Sequence, residues 1–75
     1  MFKPTMQQRT KLVNILVSAR EDAGLTQEQL SKKMGASKTF ANKVERMTRE
    51  IGFFEIVAWA KAAGKDPIEL MRQVV

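Results

Sequence analysis

Residues 24–45 read GLTQEQLSKKMGASKTFANKVE, and the spacing of their polar and glycine residues predicts two short helices joined by a sharp turn. Thr26 and Gln29 fit a capping box, in which each side chain accepts a hydrogen bond from the backbone N–H of the other residue. A helix should therefore begin at Gln27. Gly35 stands where helices commonly end with positive φ, so the chain should turn there.

The second helix of the pair is predicted to span about 38–47, with Ser37 as its capping residue. At about 100° per residue, Ala41 and Val44 fall together on one side, and Phe40 lies at the edge of that apolar stripe. The polar side chains that project from the helix are Lys38, Thr39, Asn42, Lys43 and Arg46. Such a surface either binds nucleic acid or is simply solvated, and the spacing alone fits both interpretations.

The charge distribution favours nucleic acid. The chain carries 13 Lys and Arg against 8 Asp and Glu, which gives a net charge of +5 and a pI of about 10.0. Residues 32–49 contain six basic residues and a single acid, Glu45. So one-sided a segment is typical of proteins that bind a polyanion, although lysines also serve merely to keep small proteins soluble.

The same stretch resembles the helix-turn-helix of the Cro and phage-repressor (XRE-type) family. The residues that carry the resemblance are Gly24-Leu25-Thr26-Gln27, the small residue Ser31, Gly35 in the turn, Ser37, and Val44-Glu45. It continues through residues 49–56 and 63–67 and covers most of the chain apart from about its first dozen residues. The family implies a second motif helix that lies in the major groove as a recognition helix, with its N-terminal residues at base edges.

The resemblance also assigns roles to individual residues. Gln27, at the start of the first motif helix, is expected to contact a phosphate and to brace the recognition helix. The residues expected to reach base edges are Lys38, Thr39, Asn42 and Lys43. Lysine can bond guanine O6 and N7, and asparagine can bond adenine N6 and N7. Arg46 and Arg49, beyond the helix, are expected to hold the DNA backbone.

Two features near the end of the recognition helix carry further expectations. Glu45 projects toward the core side, where a carboxylate needs a partner unless it is exposed after all. Relatives with this spacing commonly pair the glutamate with an arginine of the first helix, and Arg20 matches that position. Relatives also commonly place a glycine just after the recognition helix, where this chain has Met47, so a different exit path is expected.

The patterning of the whole chain predicts an all-α protein with residues 1–75 as a single domain. The predicted helices span about 6–23, 27–34, 38–47, 53–63 and 67–73, with the helix-turn-helix at about 26–47. Thr5 with Gln8 caps the first helix, and Asp66 with Glu69 caps the last. Together with the resemblance, this pattern indicates a compact five-helix bundle of the lambda-repressor-like type.

Apolar residues cluster in two further places. The fourth helix is apolar almost all round, so we expect it at the centre of the core, with Phe53 and Phe54 packed rather than stacked on bases. The C-terminal cluster consists of Leu70, Met71, Val74 and Val75. We expect a homodimer through this cluster, since a chain of 75 residues struggles to cover it. The alternative is that Leu70 and Met71 close the core of the monomer.

The residues that the chain lacks exclude other classes of protein. It has no cysteine and no histidine, which removes the disulfide framework, the thiolate nucleophile, the usual general base and the commonest metal ligands. We therefore expect no enzyme, no cofactor and no metal. It also lacks a signal peptide and any run of about 18 apolar residues, so a cytoplasmic, nucleoid-associated protein without a membrane partner is expected.

Taken from sequence, the expected function is sequence-specific binding of double-stranded DNA by a transcriptional regulator. The most specific form of this prediction is a repressor that occupies a palindromic operator as a dimer through helix 38–47. The alternative is an antitoxin or another protein-interaction module with the same fold. Such a module should carry a long arm for its partner, and residues 1–11 are the segment that fits this role.

Overall fold

The computed structural model describes residues 2–75; Met1, the first residue of segment 1–11, lies outside the described part. The described residues form five α-helices and no β-strand, so the predicted all-α class and five-helix bundle are confirmed. The helices are α1 (Met6–Asp22), α2 (Gln27–Lys33), α3 (Phe40–Glu45), α4 (Phe53–Ala62) and α5 (Pro67–Val74).

The predicted caps start three of these helices. Thr5 Oγ1 accepts from the backbone N–H of Gln8 at 3.1 Å, and Gln8 Oε1 accepts from that of Thr5 at 2.9 Å. Thr26 and Gln29 make the same reciprocal pair before α2. Asp66 accepts from the first-turn amides of α5, at 2.8 Å for Ile68 and 3.3 Å for Glu69, but among the described residues the predicted reciprocal bond to the Glu69 side chain is absent. Each cap satisfies N–H groups that would otherwise lack a partner at a helix start.

The second motif helix, α3, is shorter than its sequence predicts. It begins at Phe40 rather than at Lys38, and Thr39 is its N-terminal flanking residue. Ser37 does not cap it: the backbone oxygen of Ser37, not its hydroxyl, accepts from the N–H of Phe40 at 3.0 Å. Lys38 and Thr39 therefore lie in the turn that precedes the helix.

The core is centred on Trp59 of α4, which is fully buried and donates from Nε1 to the backbone oxygen of Leu16 at 2.9 Å. This bond satisfies the one polar atom of the indole where water is absent. Phe40 is buried as well, at 6.3 Å from Trp59 between ring centroids. The predicted edge of the apolar stripe is thus itself buried, and α3 contributes a full aromatic side chain to the core.

The first turn of α4 departs from the prediction of a helix buried on all sides. Phe53 and Phe54 are 69% and 82% exposed, and they contact each other edge to face with 5.2 Å between ring centroids. The buried part of the helix lies further along, at Trp59 and Ala60. The helix thus enters the core only after its first turn, and the expected packing of the two phenylalanines inside the core is wrong.

The C-terminal helix divides the apolar cluster of the sequence between core and surface. Leu70 is only 4% exposed and belongs to the core, while Met71 is half-buried against it. Val75 is almost fully exposed, and so is most of Ile68. The expectation that Leu70 is free for a dimer contact is therefore wrong, because this side chain already closes the monomer.

The chain leaves the recognition helix by the same turn that a glycine would give. The N–H of Thr48 donates to the oxygen of Lys43 and the N–H of Met47 to that of Val44, both at 3.0 Å. This is the Schellman pattern, and Met47 occupies its left-handed position at φ 61°. Gly24, Gly35 and Gly64 occupy the same position after α1, α2 and α4. The expected different exit path is therefore wrong.

Candidate nucleic-acid interface

A buried serine joins the two motif helices. Ser31 of α2 is fully buried, and its hydroxyl donates to the backbone oxygen of Gln27 at 2.9 Å. The same hydroxyl accepts from the backbone N–H of Ala41 at 2.9 Å. Ser31 thus caps α3 from the neighbouring helix, which replaces the local cap that Ser37 does not supply. The small side chain fixes the angle between the two helices and hence the placement of α3.

The outer side of this unit is polar and cationic. The exposed residues of the turn and of α3 with its C-cap, which we call the cationic face, are Lys38, Thr39, Lys43 and Arg46. All four belong to the set that the sequence assigns to DNA. Asn42, the fifth member on this part of the chain, is half-buried and lies against α2.

Asn42 and Gln27 are held by a chain of hydrogen bonds that starts at Glu45. Gln27 Nε2 donates to Glu45 Oε1 at 2.9 Å, and Asn42 Nδ2 donates to Gln27 Oε1 at 3.0 Å. Arg46 Nη1 completes the chain by donating to Asn42 Oδ1 at 3.3 Å. We call Glu45, Gln27 and Asn42 the amide relay. It links the start of α2 to the outer side of α3.

Glu45 is anchored on its other side by Arg20 of α1. Arg20 Nε and Nη2 donate to the two carboxylate oxygens at 2.6 and 3.0 Å, and Nη1 donates to the backbone oxygen of Leu25 at 2.8 Å. The two side chains are only 13% and 9% exposed. The hydrogen bonds to Glu45 raise the pKa of Arg20 above its ordinary value. The pair thus ties α1, the following loop and the end of α3 together.

Arg49 is already engaged within the protein. It donates to both carboxylate oxygens of Glu55 at 2.9 and 2.7 Å and to the backbone oxygen of Glu50 at 2.8 Å. Its guanidinium also lies 4.6 Å from the ring centroid of Phe40. The hydrogen bonds from Arg49 lower the pKa of Glu55, and the hydrogen bond from the backbone N–H of Gly52 lowers it further. Arg49 therefore braces the loop between α3 and α4.

Two residues of this region have structural roles that the sequence analysis did not predict. Ser31 is visible there only as a small residue of the motif, and nothing local shows that its hydroxyl caps another helix. Glu55 has a local signal, because it stands three residues after Gly52 and accepts from its N–H, as the last residue of a capping box does. Its bond to Arg49 has no such signal. Within residues 2–75, no cluster of acidic side chains is arranged to hold a metal ion.

No described helix is long and apolar enough to cross a bilayer. The helix-turn-helix family model matches residues 16–70, from the middle of α1 to α5. This range includes both motif helices, the amide relay and the Arg20–Glu45 pair. No curated relative matches the sequence.

Solved structures resemble the fold over most of its length. An XRE-family like protein from Pseudomonas syringae pv. tomato is 28% identical with a TM-score of 0.85, and the match covers 91% of this chain and 83% of that one. The restriction-modification controller protein C.AhdI from Aeromonas hydrophila is 30% identical with a TM-score of 0.76, over 85% and 97%. The hypothetical transcription factor NHTF from Neisseria is 28% identical with a TM-score of 0.77, over 93% and 82%.

Proposed function

The chain belongs to the XRE-type helix-turn-helix family of DNA-binding transcription regulators, and we propose that it is a repressor that occupies a palindromic operator as a dimer. The observation that carries this proposal is that the cationic face lies on a recognition helix whose opposite side is hydrogen-bonded to the neighbouring helices. Ser31 and Glu45 hold α3 against α2 and α1. A rigid helix that presents cations suits the reading of base edges in the major groove.

The individual roles follow from exposure and hydrogen bonding. Lys38, Thr39 and Lys43 are exposed and have free side-chain atoms for base edges. Asn42 reads a base through the atoms that the amide relay leaves available. Arg46 holds the DNA backbone. These assignments place the base contacts on the turn before α3 as well as on the helix itself.

Two other residues form hydrogen bonds within the protein and are also proposed to contact DNA phosphates. Gln27 lies at the N-terminus of α2, where a phosphate would be attracted by the free N–H groups, and it braces α3 through Asn42. Arg49 contributes to the phosphate contacts less than Arg46 does, because Glu55 already offsets its charge. Among residues 2–75, Arg46 has a hydrogen bond to Asn42 and no carboxylate partner.

The proposed dimer uses the outer side of α5. Met71, Val74 and Val75 remain from the cluster of the sequence, and Ile68 joins them because it is largely exposed two turns before Val75. A two-fold contact would bury this apolar strip against itself, as closed dimers commonly do. Two recognition helices would then meet two half-sites about 10–10.5 base pairs apart. A repressor of this kind acts in the cytoplasm, with residues 1–75 as its single DNA-binding domain.

Selection of bound sequences from a random DNA pool tests the proposal. We expect an enriched palindrome and a complex of two chains, seen by sedimentation of the protein with the selected duplex. Affinity should fall by roughly 10³ to 10⁵ between about 50 and 200 mM salt if the dimer makes about 6 to 10 phosphate contacts. Lys43→Ala should weaken the selected site more than scrambled DNA, whereas Arg46→Ala should weaken both alike. Absence of any enriched sequence would reject the proposal.

A further inference from the structure

We propose that Glu45, without touching DNA, selects the class of base that Asn42 reads, because it fixes the orientation of two side-chain amides in succession. The inference rests on the proposed function, since it assumes that α3 lies in the major groove. It concerns a step that the function itself does not settle: which atom of Asn42 is turned toward the base.

The first step lies at the carboxylate. Glu45 can only accept hydrogen bonds, so the atom that Gln27 turns toward it must be the donor Nε2. The observed bond has this sense, at 2.9 Å from Nε2 to Oε1. A flipped Gln27 amide would place its oxygen against a carboxylate oxygen in a site that is largely closed to water. Two facing acceptors without a proton are costly there, so the orientation of Gln27 is fixed.

The second step passes this orientation to α3. With Nε2 held by Glu45, Gln27 presents Oε1 to Asn42, and an oxygen can only be met by a donor. Asn42 Nδ2 donates to Gln27 Oε1 at 3.0 Å. Its Oδ1 is therefore turned away from α2, toward Arg46, which donates to it at 3.3 Å. Because Glu45 can only accept hydrogen bonds, it thus fixes the orientation of the Asn42 amide, which it does not contact.

The third step concerns the bases. A carbonyl oxygen has two lone pairs, so Asn42 Oδ1 can accept from a base while Arg46 occupies the other. In the major groove, adenine N6 and cytosine N4 are donors, whereas guanine O6 and N7 and thymine O4 are acceptors. The geometry therefore points to a base with an exocyclic amino group opposite Asn42. The bidentate adenine contact expected from the sequence is not required for this preference.

A variant of Glu45 provides the sharpest test. In Glu45→Gln the new amide keeps the size of the side chain. With its Nε2 at the position of Oε1, it gives up the bond from Arg20 Nη2 and donates to Gln27, which allows Gln27 and then Asn42 to turn over. Nδ2 of Asn42 would then face the groove and prefer guanine or thymine. Selection from a random DNA pool should show this exchange at one position of each half-site, by about tenfold or more in relative affinity.

The matched control is Glu55→Gln, which neutralises the other arginine-paired carboxylate near α3 but lies outside the amide relay. It should keep the base preference of the wild type, even if overall affinity changes. Asn42→Ala should abolish the preference at the same position in both the wild-type and the Glu45→Gln background. An unchanged preference in folded Glu45→Gln, or a preference that survives Asn42→Ala, would overturn the inference.

Nuclear magnetic resonance of the DNA-free protein gives a readout that needs no operator. The chain has two asparagines, and Asn14 is exposed, so its side-chain amide serves as the internal reference. The Asn42 amide protons should exchange with solvent more slowly than those of Asn14, and Gln27→Ala should remove the difference. Equal exchange in the wild type would overturn the relay itself. A protected Asn42 in a protein that selects no DNA would instead reject the proposed function and leave the relay intact.

If Glu45→Gln does not fold, Gln27→Ala decides the question, because it frees Asn42 while keeping the Arg20–Glu45 pair. The base preference at the Asn42 position should then weaken without inverting. Preferences at the positions read by Lys38 and Lys43 should persist. Retention of the full preference at the Asn42 position would show that Asn42 is oriented by other means and would overturn the inference.

Discussion

Two arginine–glutamate pairs of the same chemistry flank the recognition helix, yet they differ in burial and in what they hold. Arg20–Glu45 joins residues 25 apart in sequence, and its side chains are 13% and 9% exposed. Arg49–Glu55 joins residues six apart, and its side chains are 42% and 36% exposed. In both pairs the guanidinium donates to both carboxylate oxygens. The difference between them is therefore one of environment.

The environment decides what each pair does. Glu45 receives a third hydrogen bond from Gln27, so its buried oxygens are satisfied, and removal of either partner would strand a charge away from water. Glu55 also accepts from Gly52 and caps α4, but water can replace Arg49 at its surface. The buried pair fixes the position of α3, whereas the exposed pair braces the loop between α3 and α4. Geometry alone would not separate these roles.

The largest expected effect is that of Glu45→Ala. It leaves the Arg20 guanidinium without its carboxylate and should lower the free energy of unfolding by about 3 to 5 kcal/mol, measured by urea denaturation. Replacing both partners, as Arg20→Met with Glu45→Leu, should cost much less, because no charge is then stranded. A double-mutant cycle with additive effects would show that the two residues act independently.

Glu55→Ala should have a smaller effect than Glu45→Ala. The substitution removes the cap of α4 and the partner of Arg49 in a solvent-screened site, and the expected cost is about 0.5 to 1 kcal/mol in the same denaturation experiment. Glu55→Gln, which can still accept from Gly52, should cost less again. A loss from Glu55→Ala as large as that from Glu45→Ala would mean that exposure does not explain the difference between the pairs.

Acidification should weaken the exposed pair in a defined direction. Arg49 and Gly52 lower the pKa of Glu55 from its ordinary value of 4.5, so the unfolded chain binds the proton first as the pH falls. The contribution of Glu55 is therefore complete above about pH 4.5 and is lost progressively as the pH falls through the lower, folded value. The stability difference between wild type and Glu55→Gln should shrink over this window. A difference that grows on acidification would contradict the direction of the shift.

Salt should produce the smallest effect and separate the two pairs once more. Between about 0.1 and 1 M NaCl the Debye length falls from ~10 to ~3 Å, which screens exposed charges much more than buried ones. The cost of Glu55→Gln should approach zero over this range, while the cost of Glu45→Ala should change little. Equal salt dependence of the two costs would place both pairs in the same dielectric environment.

The sequence predicts those features that depend on neighbours along the chain. The capping boxes at Thr5 and Thr26 and the ends of α1 and α2 follow from residues three or four apart. By contrast, Asn42 and Gln27 are 15 residues apart, and their bond forms where Ser31 and Glu45 hold α3 against α2. No local pattern encodes that contact. The candidate DNA-facing residues could thus be named from sequence, but not the hydrogen bonds that orient them.

The error at α4 and the burial of Phe40 in α3 have the same origin. The apolar pattern shows which residues can be buried, but tertiary packing decides where the core ends. Phe53 and Phe54 satisfy the pattern and still lie outside, because the first turn of α4 extends beyond Trp59 and the other core residues. Phe40, placed at the edge by its angle, is buried because its ring reaches into the core, 6.3 Å from Trp59 between ring centroids. The helical period predicts the direction in which a side chain points, but not how deeply the side chain is buried.

Met47 makes the turn behind the recognition helix differ energetically from the three other helix-terminating turns. The glycines after α1, α2 and α4 adopt left-handed backbone readily, so those turns carry little backbone strain. Met47 must enter the same conformation against its own preference, at a cost of about 1 to 2 kcal/mol. Only contacts from elsewhere, such as those of its half-buried side chain beside Thr10, can hold it there. The turn behind the recognition helix therefore depends on the docked position of α1 more than the three glycine turns do.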